Sequence, residues 1–464
     1  MRLRRSVVVV LALLLAVAGC GGGSARKGSG GGSKELVFWS NEDVADRIKA
    51  TQTMVDRFSR ETGVKVKLVA VGEDKLPGLI TSASAAGTLP DVFGALGLSL
   101  TASLAADDVA DPDAASQVVD ALGRDTFSRR ALSLVEVDGK PAGVPSDSWT
   151  QLLLYRKDLF QANGLAVPDT FEAIQAAAAK LKSKGMSGIA AATKPGDAFT
   201  QQTFEYFALA DNCQLTDDAG KVTLTSPACV DTFRFYTDLI RNSSVKGAQD
   251  VDSTRAAYFA GKAAMVVWST FILDELAGLR DDALPTCPQC KNDKSFLARN
   301  SGIVTAVKGP DASEPSQYGE VTSFVISKDS KQVDNAKKFV QWMMNESYVD
   351  WLALSPEGKF PTRAGTKDEP QKFTDGWNKL ETGVDRKEPL AQAYPPEVLS
   401  ILRKSTDTLN RWGFPQGQGK LAGAQLGELP VPKALGAALD GKLDAEGAAR
   451  QAQADVEELA QSLK

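Results

Sequence analysis

Cys287-Pro288-Gln289-Cys290 is a CxxC. Two thiols at that spacing can cycle between dithiol and disulfide, or supply half of a metal site. Cys213, Cys229 and Cys20 complete a set of five cysteines. No strand–helix–strand unit surrounds the CxxC, Pro288 lies inside it, and the four later cysteines are spaced poorly for zinc. Two structural disulfides, Cys213–Cys229 and Cys287–Cys290, are the preferred reading, with crossed pairing left open. The first would close a hairpin-like excursion around the Asp217–Lys221 turn. The chain has no histidine, which removes Ser-His-Asp and Cys-His catalysis and any His-ligated metal. Carboxylates are plentiful, but no motif pairs two of them across one bond, as glycoside hydrolysis requires. The residues predict no catalytic group, no metal and no cofactor.

Cys20 has a different setting. Arg2, Arg4 and Arg5 precede an apolar run of about a dozen residues, the length of a signal-peptide core and short for a membrane span. Val17-Ala18-Gly19-Cys20 resembles a bacterial lipobox, which implies a signal peptide over 1–19 and a diacylated Cys20. Residues 20–34 then hold the lipidated cysteine and a Gly/Ser-rich tether with almost nothing to bury. The expected location is the extracellular face of the cell membrane, held by lipid. A net charge of −5 with no basic block argues against nucleic acid.

The remaining chain is long for a single core, so two domains are expected. Residues 34–40 alternate as a first strand. Val44, Ile48, Thr51, Val55 and Phe58 recur at helical spacing up to a stop at Gly63, and 64–71 alternates again. That is a strand–helix–strand unit. A helix over 75–86 and a short apolar strand after Pro90-Asp91 follow. Residues 135–160 read as a turn at Asp138-Gly139-Lys140, an extended piece ended by Pro145, and a strand from Thr150. Residues 169–210 are helix-rich, 263–268 form a strand, and 320–328 form another. Val333, Ala336, Phe339, Val340 and Met343 are the buried stripe of a helix, and 440–463 is a polar terminal helix.

Five stretches in order are similar to the extracellular solute-binding proteins of ABC importers, in the sugar and oligosaccharide branch. They are FWSNED (38–43), GTLPDVF (87–93), DGKPAGVPSDSWTQLLLYRKDLF (138–160), YFAGKAAMVVWSTF (258–271), and the pair VTSFVISKDSKQVDNAKKFVQWMM and SPEGKFPTRAG (321–344 and 355–365). The resemblance implies an α/β, two-lobed periplasmic-binding-protein-like fold (type II), with ligand held between lobes joined by crossing segments. The N-lobe would take 35–146 plus 315–345, and the C-lobe 147–314 plus 346–464. It also implies a monomer that delivers a carbohydrate to ABC transporter permease subunits.

A sugar presents flat C–H patches and a rim of hydroxyls, which aromatic faces and polar side chains can cover. Strand ends are where such residues belong. Trp39, Asn41 and Glu42 close the first strand. Asp91 precedes the third. Trp268 ends the 263–268 strand, and Glu320 starts the strand after Tyr318. The resemblance further implies ligand contacts at Asp147 and Trp149, a stacking aromatic at Phe271, and a cleft position for Arg363. Trp412 reads as a cap or as core, and Trp342 and Trp351 read as core. Competing readings are a carbohydrate-active enzyme with paired carboxylates, a redox protein using Cys287 and Cys290, or the same fold binding a peptide, polyamine or anion.

Overall fold

Leu36, Phe38 and Ser40 point inward along the strand Leu36–Ser40, while Val37 and Trp39 are half-buried. The alternation that identifies the strand in sequence thus sets its faces. A computed structural model describes residues 35–72 and 75–463. The leader, Cys20 and the tether lie outside the described residues.

The helix Ala45–Thr62 buries Thr51, Met54, Val55 and Phe58. Val44 and Ile48 were expected in that stripe, but Val44 is exposed and Ile48 half-exposed. Met54 supplies the missing apolar contact. Gly63 ends the helix with φ 75°, donating its N–H to Ser59 O. That left-handed turn costs glycine little. The strand Val66–Ala70 then pairs parallel to the first, Leu36 opposite Val66. The helix Leu76–Ala86 leads to the strand Val92–Leu96, buried throughout, which pairs parallel on the other side with Phe38 opposite Val92.

Two long strands extend this sheet. Gln317–Ile326 lies antiparallel to Val92–Leu96, and Val144–Arg156 lies antiparallel to Gln317–Ile326. The latter changes partner along its length. Residues 144–150 face the 319–324 stretch. From Gln151 onward they face Ala263–Ser269, with Gln151 opposite Ser269. Ala263–Ser269 in turn pairs parallel with Ser187–Ala190. One continuous strand therefore serves two groups of α/β elements, and the expected crossing is a shared strand. Pro145 does not end it: the strand runs Val144–Arg156. Its register slips where Pro145 meets Ser323, which accommodates a residue with no N–H to donate. Ser187–Ala190 interrupts the helix-rich stretch expected over 169–210.

The remaining expected elements form near their predicted bounds, with helices Val333–Met343 and Ala445–Ser462. Both preferred disulfides are present, Cys213–Cys229 and Cys287–Cys290. The polar stretch after Cys290 carries a short helix, Phe296–Asn300.

Residues 346–373, expected with the C-lobe, make several contacts with elements expected in the N-lobe. Tyr348 Oη donates to Ser146 O at 2.6 Å, and the Trp351 ring lies 4.9 Å from Phe324. Arg363 bonds to Leu122 and Thr126. The same segment also lies against Phe271 through Gly358.

Candidate ligand-binding site

The carboxyl ends of Leu36–Ser40, Val92–Leu96 and Ala263–Ser269 meet the partner-changing region of Val144–Arg156. Two buried charge networks occupy this zone.

The first centres on Lys359. Its Nζ lies 2.6 Å from Glu42 Oε1 and 3.2 Å from Asp147 Oδ1. It also sits 4.6 Å from the centre of the Trp351 ring. Asp147 Oδ2 accepts from Trp351 Nε1 at 2.8 Å and from Ser146 Oγ at 2.7 Å. Arg47 reaches Glu42 Oε2 at 3.1 Å and Ser355 Oγ at 3.0 Å. Burial works to raise the Glu42 carboxyl, but Lys359 and Arg47 hold it below its ordinary value. Burial likewise works to lower Lys359, but Asp147 and Glu42 keep it above its ordinary value. Both therefore stay ionised at neutral pH, as paired buried charges do.

The second centres on Arg411. Its Nε lies 3.1 Å from Glu205 Oε1, and its Nη1 binds Glu320 Oε2. Glu320 Oε1 also accepts from Leu98 N at 2.8 Å, at the start of the helix Leu98–Ala106. Glu205 lies on the helix Ala198–Ala210 and accepts from Trp412 N at 2.7 Å. Burial pushes its carboxyl upward, and Arg411 opposes the shift.

A run of rings joins the networks. The Arg411 guanidinium lies 4.9 Å from the Tyr318 centroid, and Tyr318 lies 6.0 Å from Trp149. Trp149 lies 6.3 Å from Phe271, and Arg47 covers the Phe271 ring at 5.8 Å. Phe271 also fits against Gly358, where an added Cβ would stand 2.0 Å from the ring. Five side chains thus span from one ion network to the other, with apolar faces between charged ends.

The sequence-predicted residues divide into two groups. Glu42, Asp147, Trp149, Phe271 and Glu320 come together in this zone, and Asn41 adjoins it with a buried, unpaired Oδ1. The others are engaged in the fold. Trp39 packs edge-on against Phe93 at 5.9 Å. Asp91 accepts from Val37 N at 2.8 Å and from Ser330 Oγ at 2.5 Å, which fixes the entry to the third strand. Trp268 donates Nε1 to Val251 O at 3.1 Å and packs against Phe199. Arg363 is buried and donates to Thr126 Oγ1, Met344 O and Leu122 O. Burial pushes its pKa down to about 10. Trp342 and Trp351 are core, as expected, and Trp412 is buried with Nε1 on Cys213 O.

Sequence reasoning missed Lys359, Arg47, Arg411 and Glu205. Glu205 leaves a trace, as a lone carboxylate in an apolar helix, and Arg411 adjoins the singled-out Trp412. Lys359 lies inside the SPEGKFPTRAG stretch, 355–365. Its partners are far off in the chain, so spacing carries no sign of the network.

A model of bacterial extracellular solute-binding proteins matches residues 41–350. YcjN of Escherichia coli (strain K12), which carries the name of an ABC transporter periplasmic-binding protein, is 27% identical over 324 residues, 68% of this chain and 70% of that one. The solved GacH receptor of Streptomyces glaucescens, known in complex with acarbose, superposes with TM-score 0.68 at 18% identity, over 93% of this chain and 99% of its own. Maltose-bound MalE3 of T. maritima superposes with TM-score 0.67 at 18% identity, over 92% and 99%. The two-lobed architecture is therefore shared with maltose-binding-protein-like structures, and the chain belongs to the bacterial extracellular solute-binding protein family.

Proposed function

We propose that this protein captures a carbohydrate, most simply an oligosaccharide, between its lobes and delivers it unchanged to the permease of an ABC importer. The observation that carries the reading is the ring pair Trp149–Phe271, 6.3 Å apart, between two buried ion networks at the facing strand ends. Aromatic faces match the C–H patches of a sugar, and the polar flanks match its hydroxyls. Structural relatives named for acarbose, maltose and laminaribiose support the same class.

In this reading 346–373 moves with the N-lobe, and Val144–Arg156 and Gln317–Ile326 act as the crossing strands. Closure about them completes the site, and the permease distinguishes the closed form from the open one. Lipid on Cys20 keeps the body near the permease. No helix among the described residues is long and apolar enough to cross a membrane. The protein acts as a monomer.

The test is a thermal-shift screen against mono- and oligosaccharides, with amino acids, peptides and polyamines as controls, followed by product analysis. A ligand that binds only the folded form raises Tm by mass action. A shift confined to saccharides, with the sugar recovered intact, supports the reading. A shift confined to peptides or polyamines overturns the sugar class. Cleavage of the sugar overturns the binding-protein role.

A further inference from the structure

Gln151 and Gln201 are fully buried, and neither amide nitrogen nor amide oxygen has a hydrogen-bond partner. They are the two buried side-chain amides among the described residues with both ends unpaired. A buried polar group left unpaired carries a desolvation cost, so each requires a reason.

Their positions supply one. Gln151 stands opposite Ser269, where Val144–Arg156 changes partner, and shares a strand face with Trp149. Gln201 lies one helical turn before Glu205 on Ala198–Ala210, which places it on the face that carries Glu205 to Arg411. Thr270 Oγ1, just after Ser269, and Asn41 Oδ1, just after Ser40, are also buried and unpaired. Thr270 and Asn41 thus place unpaired groups just past the carboxyl ends of two strands, with Gln151 opposite Ser269 at one of them and Gln201 one turn from the Glu205–Arg411 pair.

The charge pattern narrows the ligand. Lys359 is matched by Glu42 and Asp147, Arg47 by Glu42, and Arg411 by Glu205 and Glu320. At the outer edge Arg255 is matched by Glu275 at 2.6 Å. Each of these cations is already paired with a carboxylate. An ionised ligand would need an unmatched countercharge in so buried a place. A hydroxyl both donates and accepts, and a primary amide offers both functions at once.

We infer that Gln151 and Gln201 are ligand-binding residues and that the molecule they take is an uncharged, hydroxyl-rich one. This rests on the binding-protein reading and specifies its ligand class.

Calorimetric titration tests it with neutral oligosaccharides, uronate-containing oligosaccharides, amino-sugar oligosaccharides and sugar phosphates. Wild type is compared with Gln151→Leu, Gln201→Leu and the straighter Gln151→Met and Gln201→Met. The expected result is binding of a neutral saccharide that falls about tenfold or more in each variant, while the ligand-free Tm holds or rises. Unchanged affinity in folded variants of both residues overturns their assignment and leaves the proposed function standing. Preference for a charged saccharide overturns the neutral ligand alone. Failure of every saccharide to bind wild type overturns the proposed function and this inference with it.

Discussion

Lys359 and Glu42 form a buried ion pair at 2.6 Å, with only 3% and 7% of the two side chains exposed. Neither charge has water to fall back on. Each depends on the other and on Asp147, Arg47 and Trp351. Removing one partner strands the rest in a low-dielectric interior.

Lys359→Met is therefore expected to destabilise the protein by about 3–5 kcal/mol. Adding Glu42→Gln to that variant should recover part of the loss, because one stranded charge is then neutralised. Denaturant unfolding measures both. A cost below about 1 kcal/mol for the single change would show that water reaches the network.

The strand and helix pattern of this chain is legible in its sequence because each element buries one face. Leu36–Ser40 alternates, and Val333–Met343 repeats at helical spacing. Pro145 misleads because a proline in a strand is read as a break, whereas a register slip opposite Ser323 absorbs it. The site is less legible. Of the residues gathered in the candidate zone, Glu42 follows the first strand, and Asp147 and Trp149 lie in the 138–160 stretch. Arg363, for which the resemblance implies a cleft position, is held by carbonyls of Leu122 and Met344. Lys359 and Arg411 act through carboxylates brought near only by folding.

Arg363→Ala is expected to lower stability without changing ligand affinity. The guanidinium binds two carbonyls and Thr126 Oγ1, and lies 5.0 Å from the Phe373 ring. Losing it leaves buried carbonyls unpaired and a void, at a cost of roughly 3 kcal/mol. Thermal unfolding should show the loss, and titration below the new Tm should give a Kd within about twofold of wild type. A much larger change in Kd would return Arg363 to the ligand site.

Asp274 and Glu275 should make stability fall as pH rises. Burial chiefly, with the charges of Glu357 and Glu275, raises Asp274 to about 8. Burial raises Glu275 to about 7 against the pull of Arg255 and Arg280. For a carboxyl whose folded pKa lies above its unfolded one, the folded state binds the extra proton. Stability is then greatest below the unfolded pKa near 4 and is lost progressively up to the folded pKa. Asp274→Asn should flatten this slope between about pH 4 and pH 8 and gain roughly 1–3 kcal/mol at pH 8. Parallel curves of Tm against pH for the two proteins would count against it.

Cys213–Cys229 and Cys287–Cys290 are expected to be structural. Titration of unreduced, denatured protein should find no free thiol among these four residues. The Cys213–Cys229 bridge closes a sequence separation of 16, so replacing both cysteines with serine should cost about 3 kcal/mol. The Cys287–Cys290 bridge spans a separation of 3 and constrains the unfolded chain less. Its double replacement should cost less than the first. A reversed order, measured by denaturant unfolding, would show that Cys287–Cys290 holds more than its own turn.

Gly358→Ala tests whether the ring run must keep its shape to bind. An added Cβ would stand 2.0 Å from the Phe271 ring, so the ring must shift. Phe271 lies beside Trp149 and beneath Arg47, and any shift disturbs both contacts. Saccharide affinity should fall by about tenfold, since buried sites tolerate little overpacking. Pairing the change with Phe271→Leu, which withdraws the clashing edge, separates two explanations. If Gly358 serves only the fold, the smaller side chain should restore Tm and affinity together. If the aromatic face itself binds ligand, Tm should recover while affinity stays low. Titration calorimetry alongside thermal unfolding of both variants distinguishes these, and full recovery of affinity would remove Phe271 from the site.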